Sequence, residues 1–253
     1  TLYRMRQAGF DAHVYETGDN VGGTWYWNRY PGARCDVESM EYSYSFNTEL
    51  QQSWEWSERY ATQPEILSYA NHVADRFDLR RDIQFETRVT SARFNESTQR
   101  WSVETDGGET FDTQYYIFAS GCLSVPKAID IEGQNSFAGA TYHTADWPLD
   151  GVNFSEQRVA VIGTGSSGIQ AIPEIAKQAK KLLVLQRTTN YSVPARNKPL
   201  NAEFKTYVKE NYNQLRNTVK KTPNGHAFII SETRVNEVDE NERLRRYEKA
   251  WKK

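Results

Sequence analysis

The sequence predicts an α/β protein built from two dinucleotide-binding, Rossmann-like folds, the first carrying a small β-meander and the second a helical insertion. Three observations predict it. An apolar strand, a glycine loop, a helix and a second apolar strand follow one another from Arg158 to Leu185. A helix and then a strand open the chain and end on an acid, Glu16. Between them, Ile83 to Ala119 alternates with period two and runs into an apolar strand, a β rather than a helical pattern. A βαβ unit forms a parallel sheet covered by helices, the layer order of nucleotide-binding α/β domains.

Composition narrows the classes that this fold could serve. The 253 residues carry 33 acidic and 31 Lys+Arg side chains, a net charge of −2, so the basic footprint of a nucleic-acid binder is missing. Hydrophobic residues at 38% together with 15 glycines fit a packed globular chain. The longest apolar runs, Tyr115 to Ala119 and Leu182 to Leu185, fall far short of the ~18 residues of a membrane helix. No basic, then greasy, leader opens the chain, so a cytoplasmic protein without a membrane span is expected. Cys35 and Cys122 have no C-x-x-C partner, which points to two reduced thiols and not to a disulfide scaffold, zinc ribbon or dithiol centre. The 13% aromatic content suits core packing and a planar-ligand site equally.

In chain order, Leu2, Met5 and Ala8 recur at helical spacing and Gly9 supplies the stop. Asp11 to Glu16 follows as a short strand. The strand and glycine loop that would precede them in a complete first fold are not in the sequence, which opens without Met. Gly18 to Pro31 is turn-rich, with Gly22-Gly23, Pro31-Gly32 and aromatics at 25, 26, 27 and 30, a loop shaped around something large. Residues 63 to 79 place Ile66, Tyr69, Ala70, Val73, Ala74 and Phe77 on one helical face, with Pro64 near the start, where a missing N–H costs least. From 83 the strands IQFETRV, SARFN and WSVET, the Asp106-Gly107-Gly108 hairpin signal and the buried strand YYIFA read as a meander. Ser120 to Gln157 is a Gly/Pro-punctuated connector.

Arg158 to Ile162 and Leu182 to Leu185 read as buried strands around the Gly163 to Gly168 loop and a helix from Ile169 to Ala179. Pro173 should kink that helix or sit in its first turns. Beyond Pro199, Phe204, Tyr207 or Val208, Tyr212, Leu215 and Val219 form a helical stripe, Pro223-Asn224-Gly225 a turn, and Asp239 to Trp251 another helix. Residues 204 to 253 hold 12 basic and 7 acidic side chains, a solvated helical face. The expected boundaries are 1–152 for the first domain and 153–253 for the second, with its helical insertion from about residue 200.

The sharpest local chemistry is VIGTGSSG, residues 161 to 168. Gly163 permits the tight turn, Gly165 lets backbone approach a pyrophosphate, and Gly168 lets helix pack on strand, with Ser166 and Ser167 at the helix start. The bland reading is a glycine-rich turn with no ligand, but the loop's place between an apolar strand and a helix favours a dinucleotide. The second strand ends in Gln186-Arg187, where a carboxylate would accept the ribose 2′-OH of NAD. A guanidinium attracts a 2′-phosphate instead, so NADPH is expected; the alternative is a solvated arginine. Glu16, an acid at a strand end, fits the ribose of a second dinucleotide, although an acid there is commonplace in isolation.

GGTWYWNRYPGARCD, residues 22 to 36, and FAGATYHTADWP, residues 137 to 148, resemble the two fingerprints of type I Baeyer–Villiger monooxygenases. The whole chain is similar to the phenylacetone and steroid monooxygenase branch of that family. The second segment fits F-x-G-x-x-x-H-x-x-x-W-P at Phe137, Gly139, His143, Trp147 and Pro148. Sister enzymes that oxidise nitrogen or sulfur typically carry Tyr or Phe in place of Trp147.

The resemblance implies an FAD domain interrupted by an NADPH domain. Glu16 would hold the FAD ribose; Gly22, Gly23, Thr24, Trp25 and Tyr26 would lie along the flavin, with Asp36 and Tyr42 near it. Val89 would touch the adenine end, and Gly121 would lie in the strand-end turn beside FAD. Gly163, Gly165, Ser166, Ser167 and Gly168 would take the NADPH pyrophosphate, and Arg187 and Thr188 its 2′-phosphate. The implied reaction inserts one oxygen of O2 next to a ketone carbonyl, through a peroxide on the reduced flavin, to give an ester or lactone.

The catalytic candidates are Asp36, His143 and Trp147. Asp36 would organise charge by pairing with the family's arginine, whose place lies beyond Lys253; a turn cap is the plainer alternative. His143 and Trp147 would order the connector and couple domain motion to turnover, with direct proton transfer by His143 as the alternative. Close relatives carry Gln where Cys122 stands, so pocket details near it do not transfer. The rival functions are a heteroatom-oxidising flavin monooxygenase and a catalytically incomplete nucleotide-binding fragment.

Overall fold

The computed structural model describes residues 1–253 apart from 124, 128–130, 190, 191, 193, 224, 227–232, 235 and 253, and apart from the side chains of 250 and 252. The chain divides into two compact units, Thr1–Ala202 and Glu203–Lys253.

The first unit opens with α1 (Leu2–Gln7), which stops at Gly9 with φ +82°, a left-handed conformation that glycine adopts without strain. Of the expected strand over 11–16, only β1 (Val14–Tyr15) is paired, in parallel with β2 (Ile83–Gln84). The glycine-rich loop after it contains one turn of helix, α2 (Thr24–Trp27). A further helix, α3 (Thr48–Ser53), is capped by Asn47, whose Oδ1 accepts the Leu50 N–H at 2.8 Å. The stripe read over 63–79 folds as α4 (Gln63–Arg76), with Pro64 in its first turn and Ile66, Tyr69, Val73 and Ala74 buried. Part of the aromatic content is core: the buried rings of Trp56 and Tyr69 lie 5.0 Å apart and Trp54 lies 5.1 Å from Tyr69, whereas Tyr44, 5.8 Å from Tyr69, is exposed.

The meander is β3 (Val89–Asn95), β4 (Arg100–Thr105) and β5 (Thr110–Thr113), antiparallel in sequence order and centred on buried Val103. Its first expected strand, IQFETRV, is divided instead. Ile83-Gln84 joins β1, and the chain turns at Glu86, φ +52°, where the Glu86 and Thr87 N–H groups donate to Gly18 and Glu16 carbonyls. Period-two alternation cannot report which sheet a strand joins, because both partners demand the same pleat.

The expected buried strand YYIFA is a second correction. Tyr115 to Ala119 has no strand assignment, and Phe118 is 77% exposed. Among the described residues no segment pairs with it, and an apolar run becomes a strand only where a neighbour completes its ladder.

The βαβ unit is β6 (Arg158–Ile162), α5 (Ser166–Ala176) and β7 (Lys181–Leu185), with β6 and β7 parallel from Arg158↔Lys181 to Ile162↔Leu185. The two strands are not buried as expected. Val159, Val161 and Leu182 pack toward Phe154, Ala171 and Ile175, whereas Ile162, Leu183 and Leu185 are 66%, 53% and 45% exposed. The apolar run reflects a sheet with two apolar faces, of which α5 covers one. The helix also begins at Ser166 and ends at Ala176, earlier at both ends than expected, with Pro173 inside it.

The second unit contains nearly all of α6 (Ala202–Val219), with Val208 and Tyr212 buried, and all of α7 (Glu240–Lys252). The turn expected at Pro223-Asn224-Gly225 lies partly outside the described residues. Among the described residues, no helix is long and apolar enough to cross a membrane.

Candidate functional site

The glycine loop is shaped by its backbone. Gly163 has φ +102°, and a Cβ on Gly168 would lie 2.5 Å from the Gly163 carbonyl oxygen. No side chain caps α5, whose N-cap is Gly165, so the first-turn N–H groups are free to face an anion. A Cβ built on Gly163 or Gly165 meets nothing within 4 Å, so the loop borders open space. At the end of β7, Gln186 Nε2 donates to Thr164 Oγ1 at 2.7 Å. This bond ties the strand end to the loop and sets Arg187 and Thr188, both exposed, beside it.

The segment 30–36 is seated on α5. A Cβ on Gly32, φ +78°, would lie 2.3 Å from the Gln170 carbonyl oxygen, so only glycine permits this approach. The Tyr30 hydroxyl donates to Gln170 Oε1 at 2.9 Å, Arg34 N–H donates to the same oxygen at 3.2 Å, and Gln170 Nε2 donates to the Arg34 carbonyl at 3.2 Å. On its other side the segment runs beside 61–63: Cys35 N–H donates to the Ala61 carbonyl at 3.0 Å and Gln63 N–H to the Ala33 carbonyl at 2.8 Å. Glu58 links Arg34 (3.6 Å) with Asn197, whose Nδ2 donates to it at 2.6 Å.

Asp36 follows this clasp and is exposed, beside the buried Cys35. Burial pushes the Cys35 thiol up and the Asp36 charge adds to that, while the Val37 N–H opposes it. Tyr42 receives the Trp25 indole N–H at 2.9 Å. Burial raises its phenol above the ordinary value, against that hydrogen bond and with Cys35 and Asp36 acting in the same direction as burial. Trp25, Cys35, Asp36 and Tyr42 therefore form one neighbourhood.

The other residues of the first fingerprint are divided between loop and core. Gly22, φ +132°, lies where a Cβ would be 2.5 Å from Leu67 Cδ1, and Gly23, φ +51°, starts α2. Thr24 is exposed. Tyr26 is buried, donates to Asp19 at 2.8 Å and is covered by the Arg29 guanidinium, 4.5 Å from its ring centre. Glu16 follows β1; its Oε1 accepts the Gly18 N–H at 2.8 Å. Val89 opens β3 opposite Thr105, and Gly121, φ +74°, is exposed in the connector.

In the second fingerprint, His143 is tied into its own turn. Its Nδ1 accepts the Ala145 N–H at 3.2 Å, and its carbonyl accepts the Asp146 N–H at 2.9 Å. Trp147 packs on the cluster of Phe154, Ala171 and Ile175, with its ring 6.1 Å from that of Phe154 and 5.7 Å from that of Tyr142. Both fingerprints thus reach α5. Sequence reasoning missed Gln170, Glu58 and Asn197; the available signal was Gln170 itself, a carboxamide within the otherwise apolar stretch from Ile169 to Ile172.

These features define a mixed α/β chain of the nucleotide-binding kind. The chain belongs to the pyridine nucleotide-disulphide oxidoreductase family, which matches residues 5–251. It is 42% identical over 253 residues to a Baeyer-Villiger monooxygenase of Pseudooceanicola batsensis, covering 100% of this chain and 46% of that protein. Among solved structures it is similar to an oxidized steroid monooxygenase bound to NADP, with TM-score 0.90 and 51% identity over 99% of this chain and 48% of the other. A second is OTEMO in complex with FAD and NADP, with TM-score 0.91 and 40% identity over 98% of this chain and 48% of the other. The chain spans about half the length of the curated relatives it matches.

Proposed function

We propose that the protein is an FAD- and NADPH-dependent monooxygenase that inserts one oxygen atom of O2 next to a ketone carbonyl, giving an ester or lactone. The observation that carries this reading is the seating of both long fingerprints, 22–36 and 137–148, on the helix that opens from the glycine loop. Similarity to monooxygenases along the whole chain supports it.

Residues 153–253 are assigned to NADPH and 1–152 to FAD. The glycine loop fits a dinucleotide because its backbone leaves open space at Gly163 and Gly165 and no side chain caps α5. Gly163, Gly165, Ser166, Ser167 and Gly168 would hold the pyrophosphate against the helix N-terminus. Arg187 and Thr188 would bind the 2′-phosphate, with the guanidinium supplying a charge-assisted contact. Glu16 would accept the FAD ribose, Gly22, Gly23, Thr24, Trp25, Tyr26 and Tyr42 would border the flavin, and Val89 and Gly121 would complete its surroundings. When bound, the two cofactors supply reducing equivalents and activation of O2. Asp36, exposed beside Tyr42, would set the charge of the reaction chamber. Trp147 and His143 would order the connector that joins the two nucleotide sites.

The test gives the purified protein, with any flanking sequence its gene carries, FAD, NADPH and a mixed panel of ketones and thioethers. Ketone-dependent NADPH consumption with ester formation is the expected result. Sulfoxide without ester would move the assignment to a heteroatom oxidant, and failure to bind either nucleotide would refute it.

A further inference from the structure

Arg34 is held from two sides. It forms an antiparallel bridge with Thr62 in which the paired hydrogen bonds belong to Ala33, Cys35, Ala61 and Gln63. The N–H and C=O of Arg34 itself therefore point away from that neighbour, as they must at a non-hydrogen-bonded pair. Gln170 meets both, with Oε1 accepting from the N–H and Nε2 donating to the C=O, each at 3.2 Å. One carboxamide thus stands in for the missing strand at one residue, and Gly32 closes directly on the Gln170 backbone. Gln170 lies one helical turn beyond Ser166 and Ser167 on α5, and Asp36 lies two residues beyond Arg34.

We propose that Gln170 is a positioning residue that carries nucleotide occupancy of the glycine loop to the segment bearing Asp36. The inference rests on reading that loop as the NADPH site. An anion drawn to the N-terminus of α5 pulls on a helix that is rigid over one turn, and the two-ended carboxamide gives the 33–36 segment a single seat on it. Loss of the carboxamide leaves two part-buried backbone groups without partners and loosens residues 33–36 on the helix, while Gly32 and Tyr30 keep their packing against it.

Hydrogen exchange on the purified protein, with any flanking sequence its gene carries, tests this with and without NADP+. In the wild type, NADP+ should slow exchange both at 163–168 and at 33–36, the latter by about fivefold or more, the lower edge of ordinary coupling between sites. Gln170→Met, close in size but without hydrogen bonds, should keep NADP+ binding and protection at 163–168 while 33–36 no longer responds. Tyr30→Phe keeps both bonds to Arg34 and should respond like the wild type. A wild type that is protected at 163–168 but unchanged at 33–36 overturns the inference whatever the variants do. A response at 33–36 that survives in Gln170→Met overturns it too. No binding of NADP+ by the wild type is a distinct result, which refutes the NADPH reading beneath it.

Discussion

Tyr30 and Trp147, one from each fingerprint, pack into the same cluster around Phe154, Ala171 and Ile175. Tyr30 adds a hydrogen bond to Gln170, and Trp147 adds ring contacts to Tyr142 and Phe154. Two segments far apart in the chain therefore share the covered face of one helix, α5. That shared demand gives a physical reason for fingerprints so long and so rich in Gly, Pro and aromatic residues.

Trp147→Ala should cost about 2–3 kcal/mol of stability, below the ~3–5 kcal/mol of a fully buried aromatic, because Trp147 is only half-buried. Thermal unfolding reads the loss, and Trp147→Phe should recover most of it. Flavin content should stay near the wild-type value, since Trp147 touches the α5 cluster and not the surroundings of Glu16. An apoprotein from Trp147→Ala would contradict this placement.

Arg187→Ala should weaken NADPH binding about 10–100-fold, the loss of one charge-assisted contact worth ~1.5–3 kcal/mol. NADH binding should change little. The comparison is made by titration with both nucleotides, and equal losses would mean that Arg187 supports the fold and not the 2′-phosphate.

Gly168→Ala should behave differently. The added Cβ would lie 2.5 Å from the Gly163 carbonyl oxygen, so the loop must open. Because the pyrophosphate is common to both nucleotides, NADPH and NADH should lose affinity together. Unchanged binding of either one in this variant would place the pyrophosphate elsewhere.

The second unit carries its own acid-sensitive contact. Hydrogen bonds from Arg245 and Arg246 lower the Glu242 carboxyl from 4.5 to about 2. A carboxylate whose folded pKa is depressed contributes stability above its unfolded pKa and loses it as pH falls through the folded one. Helicity of α7 should therefore decline as pH falls from 4.5 to about 2. Far-UV circular dichroism of the wild type against Glu242→Gln isolates this part of the acid transition, and identical titrations would remove Glu242 from it.

Periodicity and glycine placement made α4, the βαβ unit and the β3–β4 pair with the hairpin turn after it legible in the sequence, because each is fixed by local rules: a 3.6-residue stripe, a strand–loop–helix order, a hairpin turn. The strand after that turn is β5 and not the YYIFA run. Ile83-Gln84 was misassigned because alternation does not say which sheet a strand joins. Tyr115 to Ala119, and the exposed faces of β6 and β7, were misread because an apolar run shows what a segment can bury and not what covers it. Gln170 escaped notice for a related reason. Its partners, Tyr30 and Arg34, are remote in sequence, and a single carboxamide on a helix reads as a solvated residue until the fold brings a backbone to it.

Isotopic labelling of the product reads oxygen insertion into a ketone directly. The purified protein, with any flanking sequence its gene carries, is supplied with FAD, NADPH, a simple ketone and 18O2, and the ester is analysed by mass spectrometry. An ester containing one 18O atom, formed in step with NADPH oxidation, is the expected product. NADPH oxidised with hydrogen peroxide as the only oxygen product, or a ketone recovered unchanged beside a labelled sulfoxide or N-oxide, would contradict it.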